Sequence, residues 1–103
     1  TLPAMVDDHV WHLFVIRTPR RDELQRQLAE QSIETLVHYP IPPHRQPAFP
    51  AWHALSLPVT ERIHREVLSL PLSSVMRDDE ISAVCAAINA FHPRREGQPV
   101  LSR

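Results

Sequence analysis

The sequence predicts an α+β domain: a two-layer sandwich in which a short, three-stranded, mainly antiparallel sheet packs on two amphipathic helices. Three observations lead there. Short apolar segments at residues 9–17, 33–39 and 67–70 read as strands; the windows 20–31 and 78–91 place leucine, isoleucine or valine at helical spacing; and 103 residues supply one core only. A helix stripe and a sheet face need each other to exclude water, so two layers follow.

Each element has its own reason. The segment HVWHLFVIR, residues 9–17, is dense in β-branched and aromatic side chains, and its near-continuous apolarity predicts a first strand covered on much of both faces. Thr18 and Pro19 offer an N-cap followed by proline at the first helical position. Residues 20–31 then lack β-branched side chains and set Leu24 and Leu28 four apart, the mark of a helix with a narrow apolar stripe. Residues 33–39, IETLVHY, read as a second strand stopped by Pro40, which cannot donate to a ladder. From Pro40 to Pro58 the chain carries six prolines, and no regular element is expected; a loop this long in a compact domain is usually functional or disordered. Residues 59–66 predict a short helix with Glu61 well placed for its dipole, and 67–70 a third strand ending at Pro71. Asp78 is the N-cap candidate of the last helix, whose Ile81, Val84, Cys85, Ile88 and Phe91 form the clearest helical stripe in the chain. Residues 93–103 are polar and aperiodic. They are expected to be a disordered tail, which leaves 1–92 as the domain.

Composition narrows the function. Eleven prolines stand against one glycine, so turns must come from proline-fixed φ. The chain is 43% hydrophobic and 22% charged with a net charge of -1: it can fold, and it is too balanced for a nucleic-acid partner. All 11 cationic side chains are arginine, so chemistry that runs through a lysine amine cannot be completed here. One cysteine excludes an internal disulfide and a four-thiolate zinc site, and it fits the cytoplasm. No apolar run approaches the roughly 20 residues of a membrane span, and Asp7 and Asp8 stand where a signal peptide would be basic. The start at Thr1 points to a piece of something longer.

Seven histidines invite a metal site, but neither paired thiolate ligands nor a helical H-E-x-x-H occurs, and no metal is expected. His9 and His12 read as partly buried strand residues. His64, with Arg20, Arg21, Arg62 and Arg65, reads as solvated helix surface. Cys85 is expected to be a small buried hydrophobe, not a nucleophile. Trp11, Phe14 and Phe91 read as core. The segment from His38 to His44 is different. Here a strand ends in two polar aromatic side chains, His38 and Tyr39, and Pro40 fixes how the chain leaves. Such an edge suits an oxygen-rich ligand such as a phosphate, because imidazole and phenol donate to oxygen. The same residues could equally cap the strand, and Pro40 with Pro43 supplies the PxxP spacing of a polyproline II ligand.

The succession HVWHLFVIR, RRDELQRQLAEQSIETLVHYPIPPHRQPAF, LPVTERIHREVLSLPL and DDEISAVCAAINAF resembles the C-terminal part of the DegT/StrS family of PLP-dependent sugar aminotransferases, over about residues 9–91. The resemblance implies the small domain of a fold-type-I aminotransferase. In such an enzyme pyridoxal 5'-phosphate and its Schiff-base lysine belong to an N-terminal catalytic domain missing here, so this fragment is expected to bind no cofactor and to be inactive alone. The implied substrate is a nucleotide-diphosphate keto-sugar, the implied amino donor glutamate, and the implied assembly a homodimer. By the same resemblance His38, Tyr39 and His44 are expected to bind substrate. One departure is Ser32, where the family usually has glycine at positive φ at the helix end; serine can be accommodated there with a different C-cap. The rival reading is a free-standing interaction module that docks a partner through the loop 40–58. An upstream α/β domain carrying a lysine would separate the two.

Overall fold

Period-2 side-chain alternation decides where the core lies. In the computed structural model, which describes residues 1–92, β1 (Phe14–Arg17) pairs antiparallel with β2 (Val67–Leu70), with Phe14 opposite Leu70 and Ile16 opposite Leu68. These four side chains share one face. Against it pack Leu24 and Leu28 of α1 (Arg21–Glu30) and Ala87, Ile88 and the following Phe91 from α3 (Asp78–Asn89). Leu28 and Leu68 are wholly buried, each contributing about 1.5–3 kcal/mol by removal from water. A third helix, α2 (Pro58–Glu66), contacts β1 and runs directly into β2. With helices over one sheet face, the molecule is a slab of 48 × 46 × 21 Å, and its radius of gyration, 16.4 Å, exceeds the roughly 13 Å of a compact chain this long. The expected tail at 93–103 lies outside the described residues.

The expected three-stranded sheet is not what forms. Residues 33–39 contribute one isolated bridge, Leu36 to Ser69, which exchange both backbone hydrogen bonds at 3.1 and 2.8 Å. Continuing that register would set Glu34 opposite Pro71 and His38 opposite Val67. Pro71 has no N–H, while the Val67 N–H donates to Ile63 O at the end of α2 and the Val67 carbonyl accepts from Arg21 at 3.2 Å. Both neighbouring rungs are therefore closed to the third segment. The outer edge of β1 behaves alike: Thr1 and Arg17 exchange hydrogen bonds at 2.8 and 3.0 Å, and the next rung would need an N–H from Pro3.

Other boundaries shift for local reasons. β1 begins at Phe14 because Trp11 adopts φ 49°, a left-handed break in which the Trp11 N–H donates to His9 Nδ1 at 2.8 Å. His9 and His12 are consequently exposed, not strand residues. The Trp11 ring lies between those of His9 and Phe14, at centroid distances of 4.1 and 5.3 Å. α1 starts at Arg21, after a turn in which the Arg20 N–H reaches Thr18 Oγ1 at 3.3 Å, so Thr18 is not its N-cap. Its end is a Schellman motif: Ser32 N–H donates to Ala29 O and Ile33 N–H to Leu28 O, with Ser32 at φ 60°. Serine thus occupies the left-handed position itself, without a different C-cap. Arg77, not Asp78, precedes the first helical turn of α3, and Glu80 accepts the Arg77 N–H at 2.9 Å. Along α3 the buried positions are Val84 and Ala87, while Ile81 and Cys85 are exposed. Small Ala87 lets α3 approach α1, which turns Cys85 outward and corrects its expected burial.

Candidate functional site

The sheet face opposite α1 and α3 carries Ser69, Leu36 and His38. A serine between Leu68 and Leu70 is buried to 6% exposure and needs a partner; His38, its diagonal neighbour across the bridge, supplies one with Nδ1 2.9 Å from Ser69 Oγ. When the hydroxyl donates to Nδ1, the neutral imidazole carries its proton on Nε2, a donor facing away from the strand. Beside it opens a depression of about 860 Å³ lined by His38 and Ser69 with His12, Ile33, Met76 and Glu80.

Tyr39 follows at φ 55° with 72% of its surface exposed. A left-handed tyrosine costs about 1–2 kcal/mol, and a residue before proline is pushed toward extended backbone, so this conformation has to be imposed by its surroundings. The rings of His38 and Tyr39 splay at a centroid distance of 6.4 Å. His64 of α2 donates its Nδ1–H to the Tyr39 carbonyl at 2.5 Å, so it is not the merely solvated side chain expected. Arg21 likewise departs from the solvated reading: its guanidinium donates to the carbonyls of His64 and Val67 at 3.3 and 3.2 Å, tying the end of α2 to α1.

His44 sits deeper. Two 3₁₀ turns, Pro43–Arg45 and Pro50–Trp52, interrupt the proline-rich loop where no regular element was expected; proline at the first position of each pre-sets the turn. The first turn buries His44 to 2% exposure, where its Nε2–H donates to Glu61 Oε1 at 3.0 Å and its Nδ1 meets no partner among the described residues. Glu61 also accepts from the Leu57 N–H at 3.2 Å and from Arg45 at 3.4 Å. These donors, His44 first, hold the Glu61 carboxyl below the usual carboxylate range. Exposed Arg77 similarly lowers Asp79.

The structure therefore brings His38 and Tyr39 to one corner and buries His44 separately, against Glu61 of α2. Ser69, Glu61 and His64 complete the arrangement. A lone serine inside an apolar strand, and Glu61 and His64 three apart on one helix face, were the signals available for them. Polyproline II geometry holds at Pro42 (φ -62°, ψ 150°) but gives way to the 3₁₀ turn at Pro43, which leaves the PxxP segment without an extended run. Further along, Phe49 and Trp52 stack at 4.6 Å, half exposed. Among the described residues no three His, Cys, Asp or Glu side chains group as a metal site. A covalently held pyridoxal does not fit these residues either, because the chain has no lysine.

The chain is a thin α+β domain with α1 and α3 over one sheet face and a polar corner, strained at Tyr39, at the end of the bridging segment. The model of the DegT/DnrJ/EryC1/StrS aminotransferase family matches residues 1–89, and the chain belongs to that family. It is 52% identical over 92 residues to the dTDP-3-amino-3,6-dideoxy-alpha-D-galactopyranose transaminase of Aneurinibacillus thermoaerophilus, covering 87% of this chain and 25% of that protein. To the dTDP-3-amino-3,4,6-trideoxy-alpha-D-glucose transaminase of Streptomyces venezuelae it is 43% identical, covering 84% and 24%. The crystal structure of S. venezuelae DesV in complex with a ketimine intermediate superimposes with a TM-score of 0.77 at 42% identity, over 84% of this chain and 24% of that one. A DegT DnrJ EryC1 StrS aminotransferase from Brucella abortus gives 0.79 at 26% identity, over 90% and 26%. The chain spans about a quarter of the length of the curated relatives it matches.

Proposed function

We propose that this chain is the substrate-gripping small domain of a nucleotide-sugar aminotransferase, which moves an amino group from glutamate to a nucleotide-diphosphate keto-sugar. The observation that carries the reading is the corner itself: His38, backed by Ser69 at 2.9 Å, stands beside exposed Tyr39 on the sheet face opposite α1 and α3. His38 Nε2–H and the Tyr39 hydroxyl donate to diphosphate or sugar oxygens, neutralising part of their charge and orienting the keto carbon. Buried His44 serves the same site indirectly, by holding the proline-rich loop to Glu61 of α2. Pyridoxal phosphate, which supplies the electron sink for amino transfer, belongs on a lysine outside this chain, while these residues bind and orient the sugar nucleotide. We place the enzyme in the cytoplasm, where the unpaired Cys85 stays reduced, and as a homodimer, in which the apolar surface exposed on this slab is covered.

The test is His38→Ala in the complete enzyme. KM for the nucleotide keto-sugar rises about tenfold or more, while the half-reaction with glutamate is nearly unchanged. Equal damage to both half-reactions would place His38 in the cofactor's chemistry and refute the assignment.

A further inference from the structure

Prolines remove the donors that would ordinarily satisfy the Tyr39 carbonyl. A turn or helical bond to it needs the N–H of residue 42 or 43, and both are proline. An unpaired carbonyl at a left-handed, pre-proline residue has no reason to keep one direction. Here it does have a partner, the His64 Nδ1–H at 2.5 Å. His64 is in turn fixed, since its own carbonyl accepts from Arg21 at 3.3 Å, and three residues earlier Glu61 binds His44 at 3.0 Å. α2 is thus tied at one end to α1 and along one face to the proline-rich loop.

We propose that His64 is a positioning residue: by donating to the Tyr39 carbonyl it locks the left-handed backbone that points the Tyr39 ring and hydroxyl outward, and so sets the affinity of the corner for a nucleoside diphosphate. The inference rests on the reading of His38 and Tyr39 as the substrate site. It assigns an affinity-setting role to a helix residue that acts through the Tyr39 carbonyl. Nδ1 must carry the proton, because a carbonyl only accepts, and asparagine places an amide N–H near the same position. Alanine leaves the carbonyl to water and frees Tyr39 to relax toward the extended region that proline favours.

The experiment compares wild type, His64→Ala and His64→Asn in the complete, cofactor-loaded enzyme, with dTDP as the calorimetric probe and a dTDP-keto-sugar as substrate. His64→Ala is expected to weaken dTDP binding about tenfold and to raise the keto-sugar KM by a similar factor, with kcat changed less than about twofold; His64→Asn recovers most of both. Unchanged dTDP affinity and KM in His64→Ala would overturn the proposal. So would equal losses of kcat, KM and melting temperature in both variants, which is what a purely structural residue gives. A wild-type enzyme that neither binds dTDP nor aminates a nucleotide keto-sugar overturns the functional reading itself, an outcome separate from either of these.

Discussion

Glu61 Oε1 lies 3.0 Å from the buried Nε2 of His44, and the same oxygen takes the Leu57 N–H at 3.2 Å. One carboxylate therefore starts α2 and anchors the proline-rich loop, two tasks it performs more strongly when ionised.

A pH dependence follows, with a definite sign. A carboxyl whose folded pKa lies below its ordinary value, 4.5 for Glu61, stabilises the fold above that value and loses the contribution as pH falls through the folded pKa. Thermal stability should decline as pH falls below the ordinary 4.5, and Glu61→Gln should show a flatter profile there with lower stability near neutrality. Parallel melting curves for the two proteins across that window would refute the assignment.

Ser32 holds φ 60° in the Schellman motif that ends α1. Glycine relieves the left-handed penalty but enlarges the unfolded ensemble, so Ser32→Gly should stabilise by a net of about 0.5–1 kcal/mol. A denaturant midpoint that moves down instead would show that serine is not strained.

Leu36 and Leu68 sit on opposite sides of the same sheet, with 56% and 0% of their surface exposed. Leu68→Ala should cost about 2–5 kcal/mol, whereas Leu36→Ala should cost less than about 1 kcal/mol. Urea titrations of the two variants separate the faces; similar midpoints would mean that the bridge side is packed as well.

Cys85 is exposed, so Cys85→Ser should change stability by no more than about 0.5 kcal/mol. Its thiol should also react with a maleimide in the folded state at the rate of an exposed model thiol. Protection until denaturant is added would contradict the outward turn of α3 at this position.

The corner of the candidate site was legible before any coordinates, because His38 and Tyr39 are consecutive and Pro40 marks where the chain turns away. Its supports were not. Ser69, Glu61 and His64 lie 31, 17 and 25 residues from the side chains and carbonyl they hold, and their local signals, a lone serine in an apolar strand and a polar pair on one helix face, do not say which distant groups they meet. The burial of His44 depends on the same distant glutamate.

Helices were readable to within a residue or two, since capping residues and the i, i+4 stripe act over a single turn. The third strand was not, because a strand exists only if a neighbour has free backbone groups. Residues 33–39 have strand-like side chains, yet proline at 71 and the prior engagement of Val67 by α2 and Arg21 leave one rung, at Ser69. From the sequence alone came the three helices, the two paired strands, the absence of lysine and the His38-Tyr39-Pro40 run. Tertiary structure decided which hydrogen bonds remained available at each edge, because a backbone N–H or carbonyl already committed to a distant partner cannot join a ladder.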